Sequence, residues 1–412
     1  MDFPEMTTIR QALTSSPLPD PARALDEAFE GASVESVFNG SRVAVAVGSR
    51  KIDRLPELVH RIVELLRGSG CEPFIVPAMG SHGGASVAGQ LAILGRLGVT
   101  EQSAGAPIDP SLETVSLGTT AGGAEAFMAR AALEADGIFL LNRVAPHTGF
   151  SGPLQSGVAK MLAVGLGKAD GARALHHHGF EAGHLIGELA GLVLEKAPPV
   201  LALALVEDAR KELSHLEVLR GEDILAREPE LLNKAIAMWP RLPVPEADVL
   251  VVEEMGKDIS GIGMDPLVTG RGKDLPGGQR QSFHARRLVV LRLSQGSGGN
   301  ATGVGHADIT TRAVVEATDV GVTYRNVLTS GALHRARVPL VAGSDREALE
   351  MALSSLGHTP PDQARIVWIR NTARLGELKV SSPLVPGVEA LEGISVESDA
   401  QAIQFDADGN II

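Results

Sequence analysis

The chain has almost no cysteine: Cys71 is the only one in 412 residues. No disulfide can form within it, and a reducing, cytoplasmic setting is expected. Aromatic residues make up only 3%, with a single tyrosine, which leaves little for nucleobases to stack on. Positive charge is in deficit, with 37 Lys and Arg against 50 Asp and Glu and a net charge of −13. A nucleic-acid partner, which demands a local surplus of cations, is not expected. No apolar run reaches the ~18 residues of a membrane span. The opening residues MDFPEMTTIR show no basic stretch followed by an apolar one, so no secretion signal is expected.

What is present is glycine, 47 residues of it, in a chain that is 44% hydrophobic and 21% charged. That balance describes a globular protein, and the length suits two or three domains. Residues 42–47 and 137–141 read as buried strands, the first with little alternation. Strands are also expected at 73–77, 113–116, 199–206, 248–252, 287–293 and 365–369. Helices are expected near 21–30, 86–97, 124–135, 180–194, 221–238 and 308–317. One more should follow Asp53 as its cap, because Leu55, Leu58, Val59, Ile62 and Leu66 recur at helical spacing. The proline-rich run 239–245 marks a boundary between an N-terminal domain, 1–240, and a C-terminal domain, 246–412. The rhythm of strand, loop and helix predicts two α/β domains with mainly parallel sheets and an active-site cleft between them.

Chemistry-bearing residues cluster after these strands. Arg50, His82 and His147 each follow a predicted strand, and a parallel sheet brings such positions to one rim. Histidine titrates near ~6.5, so His82 and His147 are acid/base candidates. Arg50 has the fork that clamps a carboxylate. Lys160 lies among apolar residues, and His176, His177 and His178 close the next helical segment. Taken alone, Lys160 is equally a lysine that snorkels to water, and the histidines equally a helix-end cap. The glycine-rich turns at Ser49, Ser81 and Gly83 can offer backbone N–H groups to a phosphate. In the second domain, residues 255–278 form a long glycine-rich loop carrying Lys257. Asp265, Arg271, 310–312, 324–326, His306 and Asp308 are weaker polar candidates there.

Gly149-Phe150-Ser151-Gly152, then Lys160, then His176 sixteen residues later, resembles the nickel-pincer lactate racemase family. Gly80-Ser81-His82 resembles that family's Gly-Thr-His loop. Gly48-Ser49-Arg50 resembles its Asp-x-Thr-Arg loop, with Val47 at the acidic position. The interval from His147 to Lys160 is longer than in the family, and 153–156 looks like an insertion. The resemblance implies a nickel-pincer nucleotide, a nickel-bound pyridinium dithio-mononucleotide, joined to Lys160 and ligated through nickel by His176. It implies contacts to the cofactor from Ser49, Ser81 and Gly83, and to a small anionic 2-hydroxy acid from Arg50 and Lys257. His82 and His147 become the acid/base pair of a racemase or epimerase that works by reversible hydride transfer. The enzymes that make the cofactor become its partners. The departures at Val47 and around Lys257 point to a substrate other than lactate. The competing readings are a metal hydrolase or lyase that uses the three histidines directly, and a non-catalytic binding homologue.

Overall fold

Arg42–Val47, Glu72–Pro77, Gly137–Arg143 and Val200–Glu207 are strands made almost wholly of apolar residues. A strand without a polar face must be covered on both sides. In the computed structural model, which describes residues 1–38, 40–150, 152–179, 183–271 and 283–412, they are covered on both. Ala44, Ala46, Ile138, Leu140 and Ala202 face one core. Val43, Val45, Phe139, Leu141 and Leu201 face the other. Helix Leu55–Gly68 seals the second core with Leu58, Val59, Ile62 and Leu66, the face its spacing predicts.

Across this five-stranded sheet the order is Glu72–Pro77, Arg42–Val47, Gly137–Arg143, Val200–Glu207 and Leu213–Arg220. The first four are parallel and the last is antiparallel. From Arg42–Val47 the chain builds outward first to one side and then to the other. The crevice beyond the carboxyl ends of Arg42–Val47 and Gly137–Arg143 is therefore a topological switch point, where open α/β sheets bind ligands.

Several elements differ from expectation. Residues 124–135 are alanine-rich, yet Glu125–Ala129 is a strand paired with Thr114–Thr119, and only Arg130–Leu133 is helical. The cause is alternation, which buries Ala126 and Met128 and outweighs helix propensity. Residues 308–317 split into strand Ile309–Thr311 and helix Arg312–Glu316. Asp53 does not cap the helix. Arg54 precedes it with φ 53°, and Asp53 instead accepts from the Leu213 amide at 3.1 Å. Ser151, residues 180–182 at the expected start of a helix, and residues 272–278 of the glycine-rich loop lie outside the described residues.

The chain divides into two compact units, residues 14–239 and residues 1–13 with 240–412. The first thirteen residues thus depart from the expected 1–240 grouping. Met6–Gln11 pairs antiparallel with Glu377–Ser381 and Ile394–Val396. The second unit holds an eight-stranded sheet, parallel through Leu340–Ala342, Ile309–Thr311, His284–Leu293, Glu246–Met255 and Ile366–Ile369, and antiparallel beyond. Both units are α/β with mainly parallel sheets. No helix among the described residues is long and apolar enough to cross a membrane.

Gly137 opens its strand against the buried ring of Phe38, which lies 2.5 Å from where a β-carbon would stand. Gly137→Ala is expected to cost about 1–3 kcal/mol by overpacking. The check is a lower urea midpoint with an unchanged m-value.

Candidate active site

Three chain segments leave the carboxyl edge of the first unit's sheet. Ser49 and Arg50 follow Arg42–Val47, His82 follows Glu72–Pro77, and His147 follows Gly137–Arg143. After His147 the chain enters a short helical turn, Val158–Lys160, then a π-helical stretch, Met161–Gly165, then helix Lys168–His177. Single π-turns recur at functional sites, because they displace a side chain from the regular α path. This one is fastened to the His82 loop: the Gly80 amide donates to Gly165 O at 3.1 Å. A β-carbon at Gly165 would meet Ala78 O at 2.8 Å.

Phe150, wholly buried, is the hub. The Lys160 ammonium nitrogen stands 4.8 Å from its ring centroid. The His176 ring stacks on it at 5.8 Å and 29°. The His147 ring tilts against it at 4.8 Å and 41°. Burial, and then the nearby charge of Arg50, bring the Lys160 amine down to about 7. Burial, and then Lys160, bring His176 down to about 4, so it is a neutral imidazole at neutral pH. Desolvation followed by Arg143 lowers Arg50. Arg143 is held by an ion pair with Glu207, a nearly buried carboxylate at the end of the neighbouring strand. Lys160 and Arg143 thus both lie near Arg50; with Lys160 partly neutral and Arg143 paired with Glu207, Arg50 is the cation left to attract an anion.

The two acid/base candidates are held differently. His147 Nδ1 accepts the Gly149 amide at 3.0 Å and the Phe150 amide at 2.9 Å. Its proton therefore resides on Nε2. Its own amide donates to Gln155 Oε1 at 2.8 Å, so the inserted segment buttresses it. His82 Nδ1 shares a hydrogen bond with the Ser49 hydroxyl. A hydroxyl can donate or accept, so either His82 tautomer is supported.

The remaining candidates separate by role. The Ser81 carbonyl accepts the Ala85 amide at 3.1 Å. Gly83, at φ +69°, packs so closely on Gly89 that a β-carbon would lie 2.5 Å from its backbone. The glycine is required there by packing, whatever else the turn binds. His177 and His178 are exposed and meet edge to face. Among the described residues no three or more His, Cys, Asp or Glu gather in a group that could hold a metal.

Lys257, in the second unit, donates to Gly261 O and, at 3.0 Å, to Asn326 Oδ1. Asp265 caps Pro266–Thr269. Arg271 grips both carboxylate oxygens of Asp308. The Thr310 and Thr311 hydroxyls donate to Val290 O and Leu291 O. The His306 ring meets His334 edge to face. These contacts are sufficient to account for Asp265, Arg271, Asp308, Thr310 and Thr311 as structural residues.

Sequence reasoning missed four supports. Phe150 lay in the quoted motif without a role. Arg143 stood at the strand end. Lys168 is buried, donating to Pro77 O at 2.6 Å and Gln90 Oε1 at 3.5 Å, while Gln90 donates to Gly80 O at 3.1 Å. Together Lys168 and Gln90 suspend the His82 loop. Glu228, almost completely buried, accepts the Ala159 amide at 2.8 Å. Only its position in a charged helix was visible beforehand.

Compared with known families and with curated proteins, the sequence matches none. Among solved structures, the lactate racemase apoprotein from Thermoanaerobacterium thermosaccharolyticum is similar, with a TM-score of 0.51 and 12% identity. The likeness covers 88% of this chain and 94% of that one. The chain therefore has a lactate racemase-like fold.

An amine titrating near 7 is mostly neutral, and nucleophilic, above that pH. In the apoprotein, acylation of Lys160 by an amine-selective reagent is expected to reach half its limiting rate near pH 7. Exposed lysines need a pH above about 9. Residue-resolved mass spectrometry gives the profile, and a Lys160 midpoint with the exposed lysines would contradict the burial described here.

Proposed function

We propose that the chain is a racemase or epimerase of a 2-hydroxy acid that uses a nickel-pincer cofactor held at Lys160 and His176. The observation that carries the reading is the convergence of Lys160, His176 and His147 on the Phe150 ring, at the switch-point crevice beside Arg50. The residues fit such a group. A desolvated amine is the nucleophile that attachment would require: condensation with a thiocarboxylic acid would release water and leave an uncharged thioamide, so no buried ion would result. A neutral imidazole has a lone pair to offer nickel, which accepts imidazole beside sulfur.

When bound, the cofactor would supply a reversible acceptor for the hydrogen on the substrate's α-carbon. The rest falls to the chain. Arg50 binds the substrate carboxylate, with Arg143 adding charge behind it. His82 takes the hydroxyl proton, its tautomer free to change through Ser49. His147 presents Nε2–H to the substrate oxygen from the other side. It can receive a proton on Nε2 only by turning Nδ1 into a donor, which sets it against two backbone amides. The pair is therefore unequal, and the two enantiomers should be handled at different rates.

Two outcomes follow for chain produced with the cofactor-making enzymes. Lys160→Ala should lose the covalent mass adduct while keeping its fold; an adduct that persists assigns the attachment elsewhere. His82→Ala and His147→Ala should each retain cofactor and lose at least ~10²-fold in racemisation. In single-turnover oxidation to the keto acid they should prefer opposite enantiomers. Identical enantiomer responses in both variants would rule out a facing pair.

A further inference from the structure

Glu228 is 1% exposed, on helix Ile224–Ala237, immediately before Pro229. A buried carboxyl is costly unless its oxygens are met. Here one oxygen accepts the Ala159 amide at 2.8 Å, and the Val158 amide also reaches the carboxyl. These are two of the amides that a helix start leaves without an internal partner. The preceding residue is Gly157, where a β-carbon would lie 2.3 Å from a carboxyl oxygen. Only glycine lets the carboxyl reach those amides. From the other side Asn142 donates to Gly157 O at 2.7 Å. The backbone entering the Lys160 turn is therefore held at both its acceptor and its donor groups.

Val158–Lys160 is three residues long and passes directly into the π-helical stretch. So short a turn has little stability of its own. We infer that Glu228 is a positioning residue for Lys160, its carboxyl fixing the turn from which the amine projects. The functional meaning rests on the reading of Lys160 given above; the geometry does not. Burial pushes Glu228 up to about 7, against the opposing pull of the two amides. The closed arrangement therefore favours the protonated carboxyl over the ionised one, so by linkage the hold should loosen as pH rises through that value.

Amide hydrogen exchange on the full-length apoprotein between pH 6 and 8.5 tests this. In Lys160→Met, which removes the amine's own titration, protection of the peptide covering 158–164, corrected for intrinsic exchange, should fall roughly five- to tenfold between pH 6 and 8.5. Adding Glu228→Gln keeps the shape without the ionisation, and that profile should be flat. In Glu228→Gln alone, acylation of Lys160 relative to exposed Lys196 should depart from wild type at least threefold. A flat Lys160→Met profile overturns the proposal, and it decides the matter even if Glu228→Gln does not fold. Unchanged Lys160 acylation in a folded Glu228→Gln overturns it as well. None of these readings needs the cofactor, so they stand or fall separately from the racemase assignment.

Discussion

Desolvation of the Lys160 amine is the constraint on which the first unit's site depends. The amine sits against an aromatic face, and the charge acting on it is that of Arg50, another cation. Protonating it there is unfavourable, so at neutral pH a large share of it is neutral. The same burial keeps His176 unprotonated. A largely neutral lysine and a neutral imidazole lie against one aromatic ring, and under the function proposed above both would bond to one ligand.

The supports around that pair follow from the sheet. Because the strand order reverses beside Arg42–Val47, two loops part there and leave a crevice. The first carries Ser49 and Arg50, the second His147 and Phe150. The His82 loop completes the rim and hangs on Lys168 through Gln90. Two of the site's elements are fixed from behind by acidic residues: Arg143 by Glu207, and the Lys160 turn by Glu228.

Much of this was legible in the sequence, and the parts that were not share a cause. The four parallel strands announce themselves because a strand buried on both faces has no polar residue to interrupt it. Leu213–Arg220 does not: its buried residues Leu213, Leu216 and Leu219 come every third position, which matches neither strand nor helix cleanly. Residues 124–135 misled because alanine favours helix while the alternation within 125–129 favours a strand. His82, His147, Lys160 and His176 were nameable one by one, since each follows a strand or closes a helix. Phe150 and Glu228 were not nameable as partners, because what they touch lies across the fold from them in sequence. Glu228 is 69 residues from Ala159. For Lys257 the sequence shows a loop lysine in a glycine-rich stretch, and its hydrogen bonds to Asn326 Oδ1 and Gly261 O could not be read there.

Nickel X-ray absorption on the chain isolated from cells that make the pincer cofactor tests the central claim most directly. The account predicts a nickel centre with sulfur ligands and a single imidazole, and loss of that imidazole signal in His176→Ala. Nickel bound by nitrogen and oxygen alone, or a spectrum that His176→Ala leaves unchanged, would contradict it.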